Sequence, residues 1–326
     1  MLEIGVSLSS EEHPPRTLIE QAEAVERAGF RYAGISDHFH PWVDAQGHSP
    51  FVWSVIGAIA AVTEKLEIGT MVTCPMIRTH PAIIAQAAAT SAAMMPGRFF
   101  LGVGSGEALN EHIVGERWPR AAIRLEMLEE SMELIRRLWT GETVSYDGAY
   151  YTLDTARIYT MPDQPPPIYV AAGGGESAEL AGRAGDGLVT TSADEELVRT
   201  FSDAGNKGPR IGQMAISFQG TEQEGIDLAL RKWPTSGLSG AFKFELPMPK
   251  HFEEATANVT AEQISESIIC SRDPRKHIDA LRKYEDAGYT RVYVRQTGAD
   301  LSPFLDFYNR EVLPALAGQR EQSVVR

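Results

Sequence analysis

The stretch Arg98-Phe-Phe-Leu-Gly-Val-Gly-Ser-Gly-Glu-Ala-Leu-Asn-Glu111 holds the most informative pattern of the chain. Its apolar start predicts a strand, and its three alternating glycines predict a loop that lets the backbone approach a flat ligand. Glu107 and Asn110 follow the glycines directly, so an acid and an amide come just after a strand end.

A second strand end carries a comparable group of side chains. The segment Ser36-Asp-His-Phe-His-Pro-Trp42 brings a carboxylate, an imidazole and an indole together. In a parallel barrel the carboxyl ends of the strands meet at one mouth, where the active site lies. The two groups therefore predict one active site at such a mouth.

Short apolar runs alternate with helical patterns along the chain, which predicts repeated βα units. The predicted strands are Leu2–Leu8, Tyr32–Ser36, Leu66–Thr73, Arg98–Val103, Ile168–Ala172, Gly187–Thr191, Ile211–Phe218 and Arg291–Arg295. Eight such units close a (β/α)8 TIM barrel. The alternative is a doubly wound sheet, which usually has fewer strands and a G-x-G-x-x-G turn after the first strand. Ser9-Ser-Glu-Glu-His13 stands there instead.

We predict a single barrel domain over residues 1–318, with insertions at about 142–153 and 233–260 and a flexible tail at 319–326. The turn pair Asp147-Gly148 predicts a hairpin in the first insertion. The second insertion is weakly periodic and marked by Pro and Gly. Insertions at the loop end of a barrel commonly contribute to binding.

Composition restricts the classes of partner. The chain has 326 residues, 43% of them hydrophobic, and a formal net charge of −14. That charge argues against binding to nucleic acid or to an anionic membrane surface. Two distant cysteines, Cys74 and Cys270, favour a reducing cytoplasm. The N-terminus lacks a signal-peptide pattern, and no apolar run has the length of a membrane span.

His38, Trp42 and Glu107 are the candidates for chemistry. An imidazole at the barrel mouth can act as a general base, and a carboxyl group partly removed from water can act as a general acid. Each residue also has a structural interpretation: a packed histidine, a buried indole, or an acid at the start of a helix.

A third strand end, Ala171-Ala-Gly-Gly-Gly-Glu176, opens a helix and is either a tight turn or a phosphate site formed by backbone amides. No group of residues has the spacing of metal ligands, so we predict no metal.

These motifs together resemble the deazaflavin-dependent branch of the luciferase-like superfamily, and in particular the group of glucose-6-phosphate dehydrogenases that use coenzyme F420. The resemblance covers roughly Leu2 to Leu316. It rests on the segments quoted above and on two more, Tyr151-Thr-Leu153 and Ala181-Gly-Arg-Ala-Gly-Asp-Gly187.

The resemblance implies a luciferase-like barrel that forms a homodimer and binds F420. It implies that His38 is the base for the substrate hydroxyl, that Trp42 stabilises the intermediate and that Glu107 is the acid near the ring. It also implies a cis peptide bond between Met71 and Val72 that supports the ring. The matching cofactor-binding positions are Asp37, Met71, Val72, Ser105, Gly106, Asn110, Gly173 and Gly174.

At the substrate end the resemblance implies a phosphate clamp of two lysines, an arginine and a threonine. Lys243 matches one lysine and Thr191 the threonine, whereas the other lysine falls near Ala193-Asp194 and the arginine at Ser267. Loss of two cations weakens binding of a phosphate dianion. Lys232, Lys250 and Arg272, in or beside the second insertion, are the alternative cations for a phosphate. Glucose 6-phosphate is therefore a doubtful substrate, and a different sugar phosphate, an unphosphorylated sugar or another secondary alcohol agrees with the sequence at least as well.

The leading hypothesis is a cytoplasmic F420-dependent oxidoreductase that transfers hydride between a small-molecule alcohol and C5 of the deazaflavin. The first alternative is a monooxygenase that uses flavin mononucleotide (FMN) on the same barrel. The second is a barrel that binds the deazaflavin without catalysis.

Overall fold

Eight parallel strands form a closed barrel in the computed structural model, which describes residues 2–317. Around the barrel the order is β1-β10-β9-β8-β7-β4-β3-β2, and β5 and β6 form a separate antiparallel pair. The strands are β1 (Glu3–Leu8), β2 (Tyr32–Ile35), β3 (Glu67–Thr70), β4 (Phe99–Val103), β5 (Val144–Asp147), β6 (Thr152–Ala156), β7 (Ile168–Ala171), β8 (Gly187–Thr190), β9 (Arg210–Ile216) and β10 (Arg291–Gln296). The predicted (β/α)8 barrel is confirmed.

Helices surround the barrel and bury one apolar face each, as the helical spacing of their apolar residues requires. In α5, for example, Leu128, Met132 and Ile135 are buried. The helices are α1 (Pro15–Arg27), α2 (Val52–Val62), α3 (Pro81–Met94), α4 (Ala108–Glu111), α5 (Ala121–Leu138), α6 (Gly175–Ala184), α7 (Glu195–Asp203), α8 (Glu222–Lys232), α9 (Pro249–Thr256), α10 (Ala261–Ser267), α11 (Pro274–Asp286) and α12 (Ser302–Phe307). A π-helical segment, Tyr308–Val312, follows α12.

Aromatic side chains fill the middle of the barrel. Tyr32, Phe100, Tyr169 and Tyr293 form a buried layer with Val189 and Ile211. Below this layer, Arg291 of β10 pairs with the carboxylates of Glu3 and Glu67. The lower half of the barrel is therefore a packed core, and any ligand must enter from the opposite end.

Above the aromatic layer the two sides of the barrel differ. On β2, β3 and β4 the inward positions are glycines, which we call the glycine arc: Gly34, Gly69, Gly102 and Gly104. A Cβ on Gly102 would lie 2.0 Å from the Thr70 carbonyl oxygen, so no side chain fits there. The opposite side carries the polar arc: Ser7, Gln213 and Arg295. Gln213 donates to the Ser7 hydroxyl at 2.8 Å.

The first insertion forms a hairpin, but its turn differs from the prediction. Asp147 pairs with Thr152, so four residues connect the strands instead of the two of an Asp-Gly turn, and β6 extends to Ala156. The Glu130 carboxylate accepts hydrogen bonds from the backbone N–H groups of residues 149–151 and stabilises the wider loop.

The second insertion is helical. It contains two 3-10 turns, Pro234–Gly237 and Ala241–Phe244, followed by α9 and α10. The tail predicted at 319–326 lies outside the described residues. Within residues 2–317 no helix combines the length and apolar character needed to cross a membrane.

Candidate active site

The predicted base and acid lie close together at the barrel mouth. His38 follows β2, and Glu107 is the residue before α4. The Nε2 atom of His38 lies 3.9 Å from Oε2 of Glu107 and 3.3 Å from Oε1 of Glu11. The His38 side chain is 10% exposed and that of Glu11 only 4%. One imidazole edge therefore faces two carboxylates in a nearly dry site.

Asn110 fixes the arrangement. Its Oδ1 accepts hydrogen bonds from the backbone N–H groups of Phe39 and His40, which defines the orientation of the amide. Its Nδ2 then donates to Oε2 of Glu107 at 3.2 Å and lies 3.2 Å from Nδ1 of His38. Asn110 is buried. The residue predicted to contact cofactor thus also holds the acid and base segments in register.

The two ring nitrogens of His38 have different surroundings. Nδ1 lies 3.1 Å from the carbonyl oxygen of His40, which accepts, and 3.2 Å from the amide nitrogen of Asn110, which donates. Nε2 faces the carboxyl groups of Glu11 and Glu107. Nε2 is the atom able to take a proton from a ligand at the mouth.

Trp42 forms a wall of the site. Its ring lies 5.2 Å from that of His38 at an angle of 55°. On its other side Trp42 makes an edge-to-face contact with Phe252 of α9, with 5.1 Å between centroids. The indole therefore packs as an aromatic residue of the loop and also borders the imidazole, while its part in the reaction stays a prediction.

Glu11 is the main site residue that the sequence analysis missed. Its Oε2 accepts hydrogen bonds from the hydroxyls of Ser36 at 2.6 Å and Ser9 at 2.9 Å. Burial by itself raises the pKa of Glu11, but the His38 charge and these hydroxyls outweigh burial, so the pKa is lowered. The sequence indicates Glu11 only by its position shortly after β1, because the carboxyl ends of all eight strands meet at the mouth.

Glu107 behaves differently from Glu11. Burial raises its pKa, the Glu11 charge raises it further, and His38 and Lys243 act in the opposite direction. Although Glu107 precedes α4, its side chain makes no capping hydrogen bond, so the capping interpretation fails. Two neighbouring carboxyl groups whose pKa values shift in opposite directions suit separate acid and base roles.

Asp37 lies beneath the mouth in an ion network. Nη2 of Arg78 forms an ion pair with its Oδ1 at 3.0 Å, and the Thr73 hydroxyl donates to its Oδ2. Glu111 accepts from the backbone N–H of Arg78 at 2.7 Å. The sequence analysis did not single out Arg78 or Glu111. Whether Asp37 also contacts cofactor stays a prediction.

The backbone packs closely at the positions where the resemblance implies the ring of a cofactor. The peptide between Met71 and Val72 is cis, as the resemblance implied. Gly106, next to Ser105, has φ of 71° and packs against Cys74, so a side chain does not fit there.

Gly173 and Gly174 precede α6 on an open surface. A Cβ at either glycine would have no neighbour within 4 Å. Their backbone N–H groups both lie 3.2 Å from the Ser177 hydroxyl. The amino end of α6 is thus accessible to an anion.

The predicted substrate residues lie at the rim. Thr191 is exposed just after β8, and Lys243 lies in the second insertion, near enough to Glu107 to lower the pKa of that carboxyl group. Asp194 stands near the position of the missing lysine and caps α7, accepting from the N–H groups of Glu196 and Leu197. Ser267 is the exposed last residue of α10.

His38, Glu11 and Glu107 can hold and move a proton at the barrel mouth, above the glycine arc. Within residues 2–317 no group of three or more His, Cys, Asp or Glu side chains is arranged to hold a metal ion. This chemistry can be compared with that of known proteins.

The model of the family described as "Luciferase-like monooxygenase" matches residues 1–291. The chain belongs to this family. It is 40% identical to the F420-dependent glucose-6-phosphate dehydrogenase of Segniliparus rotundus, with 97% of this chain and 98% of that protein covered. It is 36% identical to the Beutenbergia cavernae protein of the same name, with 99% of each covered.

Among solved structures, an F420-dependent secondary alcohol dehydrogenase in complex with an F420-acetone adduct superposes with a TM-score of 0.89. It is 31% identical, and 97% of this chain and 99% of that chain are covered. The coenzyme F420-dependent tetrahydromethanopterin reductase from Methanopyrus kandleri has a TM-score of 0.76 at 20% identity, with 97% of this chain and 99% of that chain covered, which supports the fold alone.

Proposed function

We propose that this protein is an F420-dependent oxidoreductase acting on a secondary alcohol. The observation that carries the proposal is the group of His38, Glu11 and Glu107 side chains, joined by Asn110 at the mouth of the barrel. The full-length similarity to F420-dependent dehydrogenases supports the same reaction class.

The residues present fit a deazaflavin. The glycines of the arc allow Met71 and Val72 to pack closely against β2 and β4, and these two side chains would form the wall on which the flat ring lies. The open amino end of α6 suits the phosphate of the cofactor, since the backbone N–H groups at the start of a helix attract anions. Val72, Ser105, Gly106, Gly173 and Gly174 would hold the cofactor, which supplies a hydride acceptor at C5 when bound.

In the oxidation direction His38 takes the hydroxyl proton of the alcohol at Nε2. The resulting imidazolium is stabilised by the Glu11 carboxylate 3.3 Å away and by the Nδ1–H donated to the His40 carbonyl. Glu107, whose pKa is raised, holds a proton that can neutralise negative charge developing on the cofactor side. Trp42 limits the access of water and orients the imidazole.

We propose that the substrate carries no phosphate dianion. Three acidic side chains, Glu11, Glu12 and Glu107, lie at the mouth, and Lys243, near Glu107, is the one lysine of the implied phosphate clamp that is matched. Asp194 is held in place as a helix cap and adds a negative charge at the rim. An alcohol that is neutral or carries a single negative charge meets less repulsion here than a phosphate dianion. The homodimer and the cytoplasmic location are also part of the proposal.

The test combines purified protein with F420 and follows the loss of the oxidised chromophore over a panel of neutral alcohols, sugars and sugar phosphates. We expect turnover of a neutral secondary alcohol and a loss of at least about 100-fold in kcat for His38→Ala, in the range of general-base catalysis. The affinity for F420, measured by fluorescence titration, should stay nearly unchanged in the variant.

The exposed His48 provides a matched control, because His48→Ala removes an imidazole that does not contact Glu11 or Glu107 through its side chain. Normal turnover by His38→Ala would exclude the assigned base. Oxygen consumption with reduced FMN would favour the monooxygenase alternative, and F420 binding without any substrate-dependent redox change would favour a non-catalytic carrier.

A further inference from the structure

A buried guanidinium group lies on the polar arc without a role in the reaction described so far. Arg295 is 7% exposed, and its Cζ atom lies 3.3 Å from the ring centroid of Trp233. Within residues 2–317 its Nη1 atom has no hydrogen-bond partner. A buried donor without a partner is costly, so such a group in a cleft indicates a missing acceptor.

The strand register places Arg295 at the mouth. Arg291, Tyr293 and Arg295 alternate along β10, and Tyr293 belongs to the aromatic layer that fills the barrel. Because side chains on one face of a strand repeat every second residue, Arg295 faces the barrel interior one level above Tyr293. Its neighbour across the register is Ala215 of β9, which packs in one cluster with Trp42 and Trp233.

The nearby carboxylates already have other donors. Glu12 accepts from the Trp233 indole N–H and, through Oε2, from the Gly298 backbone N–H at 3.2 Å. Glu11 accepts from Ser9 and Ser36 and faces His38. Both acids influence Arg295 through their charge, and burial lowers its pKa to about 10, so the guanidinium is charged at neutral pH.

We propose that Arg295 is a substrate-binding residue that donates through Nη1 to a second oxygen atom of the substrate, beyond the reacting carbinol. The preferred substrates are then alcohols with an additional carbonyl, carboxylate or hydroxyl oxygen. This inference rests on the proposed function, because it assigns the specificity of the same site. Trp233 positions the guanidinium by stacking on it, and Glu12 holds the indole.

The experiment compares butan-2-ol with secondary alcohols that carry one further oxygen-containing group at different distances from the carbinol: 3-hydroxybutan-2-one, butane-2,3-diol, 2-hydroxypropanoate, 3-hydroxybutanoate and 4-hydroxypentanoate. The protein carries F420, and kcat/KM is measured for the wild type, Arg295→Met and Arg295→Lys. We expect the wild type to prefer at least one oxygenated member over butan-2-ol, and Arg295→Met to reduce that preference by about 10- to 100-fold, the range for a hydrogen bond to a charged donor.

Butan-2-ol turnover distinguishes failure of this inference from failure of the proposed function. If all variants oxidise butan-2-ol equally and none discriminates among the series, the role of Arg295 is wrong while the F420 reaction stands. Preference for the hydroxy acids alone identifies a carboxylate, and equal preference for the ketone and the diol identifies a neutral acceptor.

A second measurement does not depend on turnover. Isothermal titration calorimetry measures the binding of four ketones: 3-oxobutanoate, 4-oxopentanoate, butane-2,3-dione and butanone. We expect an oxo acid or the neutral diketone butane-2,3-dione to bind more tightly than butanone, which has no second oxygen. Arg295→Met should abolish the difference, and Arg295→Lys should keep part of it if the variant binds F420 normally. Equal binding of all four compounds by the wild type would overturn the inference.

Discussion

His13 is a buried histidine that lies close to Glu11, without belonging to the group of His38, Glu11 and Glu107 that is proposed to be catalytic. Burial lowers its pKa to about 4, His48 and Lys232 lower it as well, and the Glu11 charge acts against them. Because the folded pKa lies below the ordinary value of 6.5, the unfolded chain binds more protons between pH 4 and pH 6.5. The contribution of neutral His13 to the free energy of unfolding is therefore fully present above pH 6.5 and is lost as the pH falls towards 4.

We predict that His13→Gln makes the stability of the protein less dependent on pH in this window. The wild type should lose about 3 kcal/mol more unfolding free energy than the variant between pH 6.5 and pH 4, because each pKa unit corresponds to about 1.4 kcal/mol. Urea unfolding at several pH values measures the difference. Parallel curves for the two proteins would show that His13 is not held neutral by the fold.

The sequence predicts which types of residue lie at the strand ends, but not which of them come together in one group. His38, Trp42 and Glu107 follow strands and were recognised from that place in the sequence. Glu11 follows β1 in the same way, yet Ser9-Ser-Glu-Glu-His13 gave no sign of which acid faces the imidazole. Arg295 lies within a strand, so only the register of β10 and the burial of Nη1 reveal it.

At the scale of elements, α9 connects the second insertion to the loop after β2 that contains His38 and Trp42. Phe252 is fully buried, contacts the Trp42 ring edge-to-face and packs with Val43, Leu109 and Leu246. The backbone N–H of Asp44 also donates to Glu253 of the same helix at 3.1 Å. The insertion thus supports the wall of the active site from outside.

We predict that Phe252→Ala lowers kcat by about tenfold and leaves the affinity for F420 unchanged. The cavity costs about 3 to 5 kcal/mol of stability and allows Trp42 to leave its position beside His38. Steady-state kinetics with a fluorescence titration of cofactor separates these effects. Phe252→Leu is the control, since it retains most of the apolar volume, and unchanged kcat in a folded Phe252→Ala protein would contradict the positioning role.

The barrel strands were predictable because each is a short buried apolar run between helices with clear periodicity. The hairpin turn was not, because Asp147-Gly148 favours a two-residue turn, whereas the distant carboxylate of Glu130 stabilises a four-residue loop. The sequence pattern did not predict the helices of the second insertion for a similar reason. Its turns and helices are short, and tertiary packing around Phe252 determines them more than local propensity does.

At the scale of the whole molecule, barrel closure depends on the pairing of β1 with β10. Arg291 lies in β10 at the end away from the mouth, donates to Glu3 of β1 at 3.0 Å and to Glu67 of β3 at 2.9 Å, and stacks over Tyr32 of β2. Its side chain is 14% exposed. One guanidinium therefore connects the first three strands of the chain to the last.

We predict that Arg291→Met destabilises the protein by about 3 kcal/mol, because two carboxylates lose a largely buried partner. The value of kcat per folded molecule should not change, since the aromatic layer separates Arg291 from the mouth. Arg136→Met is the control: Arg136 pairs with Asp186 on the surface, where the loss is within about 1 kcal/mol. Similar melting temperatures for both variants would contradict a closing role for Arg291.

The division of the upper barrel into a glycine arc and a polar arc has an evolutionary consequence. If the glycine arc holds the coenzyme and the polar arc the substrate, as proposed, exchange of Ser7, Gln213 or Arg295 changes specificity without altering the coenzyme side. Libraries for directed evolution can then be confined to three codons.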